Sequence, residues 1–431
     1  RPPKWAKINF WAPEITKLGN GRYAVYYSAR SRRKGDRWFC VGMATAPTAT
    51  GPYRDLGKPL RCGRYGSIDP YPTRDENGRP YLLFKDDGNQ FHRPTHIYAQ
   101  PLSADGTRVS GTPKELLRNR PKSWEGKVVE APNVVRVGDY FQLVYAGGLF
   151  GGTKGCDYAI GVARSKTLLG PYERFPGNPI VKSGNGWKCP GHASVYPDAS
   201  GGLHSLYHAY RSGRGVIAGR QMISEPATIG DDGWLKIGDN GTPPTFAPGA
   251  APLSFKDGFR TLDPNWEWPF MRRPGIATGN GLRLRGSSQA GRRLDAGVLA
   301  RRTSTPNYTA TAVVDKRALR GAAQGGLASF RSESESIGVS LGRSELTVWQ
   351  RDRNRFKLLA AAKAPRGNVV HLRMVARGDR FQFESSPNGT TWKKVGRRFR
   401  GPIEESARPA LTSGGALRSV ARFVSASVTE N

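Results

Sequence analysis

Two carboxylates stand at the head of strand-like runs in this chain. Asp69 lies in Gly66-Ser67-Ile68-Asp69-Pro70 and Glu130 in Val128-Val129-Glu130-Ala131-Pro132. Carboxyl groups aimed into one pocket can cleave an acetal: one protonates the leaving oxygen while another activates water on the opposite face. Val128 and Val129 give Glu130 an apolar setting, which predicts a raised pKa, as a proton donor needs. Asp69 would then tune or orient that acid. Taken singly, either could equally cap a turn at a strand end, so the case rests on spacing.

The spacing is regular. Trp11-Ala12-Pro13-Glu14, Ser67-Ile68-Asp69-Pro70, Glu130-Ala131-Pro132-Asn133 and Gly191-His192-Ala193-Ser194 recur along the first half. From Trp11 to Asp69, Glu130 and His192 the steps are 58, 61 and 62 residues. Each motif is followed by turn residues and a second run rich in Tyr, Val and Leu. A repeat of this length with several strands per unit predicts a β-propeller, one blade per repeat. Its inner strands converge on one axis, which would bring Asp69 and Glu130 to opposite walls of one pocket.

The elements needed to position them read as strands. Residues 21–30 and 40–45 alternate as strands and are closed by Gly51-Pro52-Tyr53; residues 138–146 and 158–164, closed by Gly170-Pro171-Tyr172, repeat that order. Runs at 76–84 and 95–102 supply the blade between, and 203–210, 215–223 and 233–237 complete the blade begun at His192. Helical periodicity is nearly absent, so the fold class is all-β. A Gly- and Pro-rich stretch at 238–254 marks a domain boundary. Beyond it, alternating runs at 281–285, 297–302, 307–314, 336–341, 345–350, 356–361, 368–376, 380–385 and 418–428 predict an antiparallel β-sandwich. The expected domains are residues 1–245 and 255–431.

Composition narrows the partners. The 431 residues carry 67 Lys+Arg against 34 Asp+Glu, a net charge of +33, and 47 of the basic residues are Arg. Residues 251–431 hold 32 basic and 14 acidic groups, so the second half is the more cationic per residue. Such an excess favours anionic partners such as uronate-bearing polysaccharides, although Arg that merely solvates the surface gives the same count. No recognition motif of the common nucleic-acid modules is apparent, and nucleic acid is not expected. No apolar run reaches the length of a membrane span. The four cysteines, Cys40, Cys62, Cys156 and Cys189, lack metal spacing. Two local disulfides in a secreted protein, Cys40–Cys62 and Cys156–Cys189, fit best; four buried thiols in a cytosolic protein are the alternative.

These residues resemble glycoside hydrolase family 43. The resemblance is carried by FWAPEI at 10–15, GSIDPYP at 66–72, NGRPYLLFKDDGN at 77–89, VVEAPNV at 128–134 and PGHASV at 190–195. It covers roughly residues 5–245, and 258–268 with 388–396 are similar to the concanavalin-like sandwich that often follows that propeller. The resemblance implies a five-bladed propeller and an inverting glycosidase acting on arabinofuranosyl or xylosyl linkages of plant cell-wall polysaccharide. It implies Glu130 as general acid and Asp69 as the residue that raises the acid's pKa and orients it. Trp11 matches the aromatic that lines the sugar pocket, and Arg220 a sugar-binding arginine. His192 matches a central histidine that approaches a calcium ion or its water shell; no cofactor is otherwise required. Asp86 and Asp87 are read as a turn.

The sequence departs from the family pattern in one respect. The third carboxylate, the general base, belongs at the start of the first blade's inner strand, which would lie upstream of Arg1. Residues 1–6 then read as the outer end of an incomplete first blade, and the chain carries the acid without the base. The expected partner is a carbohydrate polymer, anionic in character, bound by a monomer without a membrane anchor. A non-catalytic binding protein for anionic glycans is the alternative reading.

Overall fold

The computed structural model describes residues 3–32, 38–150, 155–211, 220–245, 253–269, 272–353, 355–401 and 407–430. The chain divides into two compact units, one built on residues up to 246 and the other mainly on residues 247–431. Among the described residues no helix is long and apolar enough to cross a membrane.

The first unit is a series of four-stranded antiparallel sheets. The first holds β1 (Ala6–Lys17), β2 (Tyr23–Ser31), β3 (Phe39–Ala46) and β4 (Arg54–Asp55); the second holds β5 (Ser67–Arg74), β6 (Pro80–Asp86), β7 (His96–Pro101) and β8 (Lys114–Arg118). The third holds β9 (Val129–Val137), β10 (Tyr140–Gly147), β11 (Ala159–Ser165) and β12 (Glu173–Arg174). The fourth holds β13 (Trp187–Pro197), β14 (Leu203–Arg211), β15 (Arg220–Ile229) and β16 (Leu235–Ile237). In each, strand order follows sequence order, because short turns join antiparallel neighbours. These are the propeller blades the repeat predicts. Residues 215–219 of one predicted strand and 246–252 of the predicted linker lie outside the described residues.

One expectation about the start of the chain is corrected. Trp5 is buried and stacks on Tyr27 of β2, and Ala6 opens β1 in the same cluster. These residues belong to the first sheet's core, because an indole of this size is held by the apolar face beside it.

Each inner strand breaks its ladder at the same place. Trp11 pairs with Ser28 but Glu14 with Tyr26; Ile68 with Lys85 but Tyr71 with Leu83; Glu130 with Ala146 but Asn133 with Val144; Gly191 with His208 but Ser194 with Leu206. Each is a bulge with one extra residue on the inner strand. Ala12, Asp69, Ala131 and His192 sit in it with φ of 46°, 52°, 54° and 54°. A left-handed conformation costs a residue with a Cβ roughly 1–2 kcal/mol, and bulges of this kind re-aim side chains beside functional sites. The true repeat therefore aligns Ala12, Asp69, Ala131 and His192, one residue away from the predicted alignment at Trp11 and Glu130. Pro13, Pro70 and Pro132 follow three of the four, where the missing N–H costs no ladder bond.

The two disulfides form as expected, Cys40 with Cys62 and Cys156 with Cys189. The second ties the segment before Tyr158 to the inner strand β13.

The second unit is the predicted β-sandwich, with a nine-stranded and a six-stranded sheet among the described residues. Its core includes Trp266, Tyr308, Phe381, Phe383 and Phe423. Besides four strands of two or three residues, two longer ones, Gln324–Ser332 and Arg408–Gly414, are not marked by the sequence pattern. Both are rich in Gly, Ser, Thr and Ala and lie in the middle of the smaller sheet, buried on most positions, so the polar–apolar alternation of a half-exposed strand is absent.

Candidate active site

The inner strands converge on a cavity of about 670 Å³ whose wall includes Trp11, Glu14, Asp69, Glu130, Tyr158, His192, His208 and Arg220. A strand with period two would send neighbouring side chains to opposite faces. The bulge removes that restriction, so Glu130, one residue before its bulge, and Asp69, within its own, reach the same space.

Asp69 and Glu130 are neighbours rather than opposite walls. Their strands β5 and β9 are in adjacent blades that pack together. Asp69 Oδ2 accepts the Ala131 N–H at 3.0 Å, and the Asp69 N–H donates to Ser28 Oγ at 3.0 Å. Consecutive blades are adjacent in the ring, so residues one repeat apart cannot face each other across it.

Glu130 is buried, and its two oxygens have separate donors. Lys85 Nζ donates to Oε2 at 2.7 Å and the Tyr158 hydroxyl to Oε1 at 2.7 Å. Lys85 is fully buried on β6 and also donates to Asp87 Oδ1 at 3.1 Å. Burial alone would push the Glu130 carboxyl up, but Lys85, Tyr158 and His192 outweigh it and hold the group below its ordinary value. This overturns the raised pKa expected from Val128 and Val129: the flanking sequence is apolar, but the through-space partners are a cation and a hydroxyl. Asp69 moves the other way. Burial raises it and the Glu130 charge adds to the shift, with His192, Lys85 and the Ala131 N–H opposing. The two carboxyls are thus pushed apart, Asp69 toward its protonated form and Glu130 toward its ionised form.

The other predicted residues are in the same cavity. Trp11 is 41% exposed on the cavity wall and its ring stacks on Phe39 with centroids 4.3 Å apart. Arg220 donates to His208 Nε2 at 3.2 Å and its guanidinium lies 5.1 Å from the Phe150 ring centroid. His208 stacks on Tyr158 at 6.0 Å; burial, then the Arg220 and His192 charges, lower its pKa to about 3. His192 lies 6.4 Å from the His208 ring, centroid to centroid. Among the described residues no group of three or more His, Cys, Asp or Glu side chains is arranged to hold a metal ion.

Four participants carry little or no sequence signal of their role. Lys85 directly follows the strand run at 76–84 and Asp87 lies in the Asp86-Asp87 pair read as a turn; a lysine continuing an inward apolar run was the available signal. Tyr158 gives no local signal. Glu14, in the Trp-Ala-Pro-Glu motif itself, accepts from Ser194 Oγ at 2.9 Å, a bond between the first and fourth sheets, and burial raises its pKa.

Comparison with known proteins follows the same division. Residues 1–235 match the glycosyl hydrolases family 43, and residues 256–406 match the beta xylosidase C-terminal concanavalin A-like domain. The chain is 25% identical over 281 residues to an extracellular endo-alpha-(1->5)-L-arabinanase of Bacillus subtilis, covering 54% of this chain and 57% of that protein. It is 25% identical over 430 residues to a beta-xylosidase of the same organism, covering 89% and 77%. The GH43 protein BlXynB of Bacillus licheniformis superposes with a TM-score of 0.77 at 21% identity, covering 98% of this chain and 86% of that one, which is a likeness of fold. The chain spans 57% of the length of the arabinanases from Bacillus subtilis and Thermotoga petrophila.

Proposed function

From a chain that belongs to glycosyl hydrolase family 43, we propose an inverting glycoside hydrolase acting on arabinofuranosyl or xylosyl linkages of plant cell-wall polysaccharide. Glu130 is the general acid that protonates the leaving oxygen. Asp69 adjusts and orients it; Trp11 and Arg220 hold the sugar. The observation that carries this reading is the Asp69–Ala131 hydrogen bond, which holds a second carboxylate beside Glu130 on the cavity wall.

The pair's closeness also limits their roles. An inverting site separates acid and base by about 6.5–9.5 Å to admit water, and a carboxyl bonded to the backbone of the residue after Glu130 suits a modulator of the acid instead. The base is therefore assigned to neither. Glu14 is not assigned that role either: its Oε1 is already taken by the Ser194 hydroxyl, which ties it to the neighbouring inner strand. No step is assigned to a metal ion. Lys85 holds the Glu130 carboxyl below its ordinary value, so its acid form is favoured only as the pH falls. Two disulfides support secretion into an oxidising space.

The test is release of p-nitrophenol from the α-L-arabinofuranoside and the β-D-xyloside, with product configuration read by NMR. Glu130→Gln should cost on the order of 10²–10⁴ in kcat/KM. Full activity in that variant, or retention of configuration, overturns the assignment.

A further inference from the structure

We infer that the sandwich carries a second glycan site, which binds the carboxylate of a uronic-acid residue in an acidic polysaccharide. The inference rests on the reading that the partner is a polysaccharide, but not on Glu130 or Asp69.

The site is a cavity of about 540 Å³ on the larger sheet, lined by Arg283, Asp315, Arg317, Arg320 and Arg422 with Ala318 and Val420. Its residues come from four segments. Arg283 and Arg422 are direct cross-strand partners on Leu282–Arg285 and Val420–Glu430. Asp315 ends the next strand, Asn307–Asp315, and Arg317 and Arg320 lie in and just after the short turn that follows.

The one carboxylate here is already saturated. Buried Asp315 accepts from the Arg317 backbone N–H at 3.1 Å, from Arg317 Nε and Nη2 at 3.0 and 3.1 Å, and from Arg422 Nη1 at 3.1 Å. Arg422 Nη2 is taken by the Asn280 carbonyl at 3.0 Å. Those bonds pin two guanidinium groups in fixed positions. The side chains of Arg283 and Arg320 are exposed and have no hydrogen-bond or ion-pair partner among the described residues. Like charges placed directly opposite on a sheet destabilise it, so the Arg283–Arg422 pair is an arrangement that an arriving anion relieves. A guanidinium fork matches a carboxylate with two parallel bonds. Val420 and Ala318 add apolar surface against which a pyranose ring can rest.

Four arginines against one aspartate leave a net excess of three positive charges, more than a neutral sugar needs. A uronate supplies one carboxylate per residue at a spacing set by the polymer, which matches a single cavity better than a continuous phosphate backbone does. The expected role is to hold the enzyme on an acidic chain while the propeller pocket works elsewhere on it.

The experiment uses the full chain carrying Glu130→Gln, titrated with glucuronic-acid-substituted xylan, with neutral arabinoxylan, and with double-stranded DNA as a phosphate control. Arg283→Gln/Arg320→Gln leaves the Asp315 knot intact, and Arg320→Glu alone is a second variant on an exposed position. The expected result is salt-sensitive binding of the acidic xylan, weakened at least tenfold by either variant, with neutral arabinoxylan unaffected. Undiminished affinity in both variants overturns the proposal. Equal loss on DNA and acidic xylan also overturns it, since the site would then read charge alone. Because Glu130 is already replaced, failure of the glycosidase reading leaves this binding result unchanged.

Discussion

Lys85 Nζ lies 2.7 Å from Glu130 Oε2, and both side chains are buried, 45 residues apart in the chain. This contact decides the charge state of the site. A buried ammonium beside a carboxylate favours the ionised form of each, and it is why Glu130 falls below its ordinary pKa while Asp69, without such a contact, rises. Removing one partner leaves the other charge uncompensated, which in a buried pair typically costs about 3–5 kcal/mol unless the survivor changes its protonation.

Lys85→Met should therefore raise the Glu130 pKa. A general acid works only while protonated, so the alkaline limb of the kcat/KM profile should move to higher pH, by one unit or more on the order of magnitude expected for such a pair. The profile measured from pH 4 to 9 on an aryl glycoside checks this. An unmoved limb with folded protein would mean that Glu130 is not the titrating acid.

Asp69→Asn should do the reverse. Its amide oxygen can still accept the Ala131 N–H, but the negative charge near Glu130 is gone. Glu130 loses a neighbour that disfavours its ionisation, its pKa drops further, and the alkaline limb moves to lower pH with a loss of roughly tenfold or more at neutral pH. The opposite signs of these two variants are the discriminating feature.

His208 gives a stability prediction. Its folded pKa of about 3 lies below the ordinary histidine value of 6.5. The unfolded chain binds the proton first as pH falls, so the stabilisation by neutral His208 is complete above about 6.5 and is lost progressively down to about 3. The unfolding free energy from urea titrations should fall across that window, by an amount on the order of a few kcal/mol. His208→Gln should flatten the dependence.

The Cys156–Cys189 bridge closes a separation of 33 residues and holds the segment that presents Tyr158 to Glu130. Chain-entropy reasoning gives about 3–4 kcal/mol for a loop of this length. Cys156→Ser/Cys189→Ser should lower the melting temperature and also shift the pH profile, because Tyr158 no longer donates to Glu130 from a fixed position. A melting change without a profile change would make the bridge structural only.

Much of this protein is legible from local pattern. Strand periodicity and turn residues locate the propeller strands, because a strand's side-chain alternation and its Gly-Pro turns are properties of neighbouring residues. The recurrence of Trp-Ala-Pro, Ile-Asp-Pro, Glu-Ala-Pro and Gly-His-Ala marks the inner strands, and the cysteines fall into sequential pairs. Asp69, Glu130, Trp11, His192 and Arg220 stand out as candidate site residues, and all five line one pocket.

The tertiary structure decided what those residues are to one another. It put the bulge one position from where the motif spacing suggested, made Asp69 and Glu130 neighbours, and brought Lys85 and Tyr158 onto Glu130 from 45 and 28 residues away. It also gathered the arginines of the sandwich around Asp315 from strands as far as 107 residues apart. Proton affinity depends on distance through space and on burial, neither of which is a property of adjacent residues. Sequence therefore named the groups, and only the packing of separate strands set which of them carries the charge.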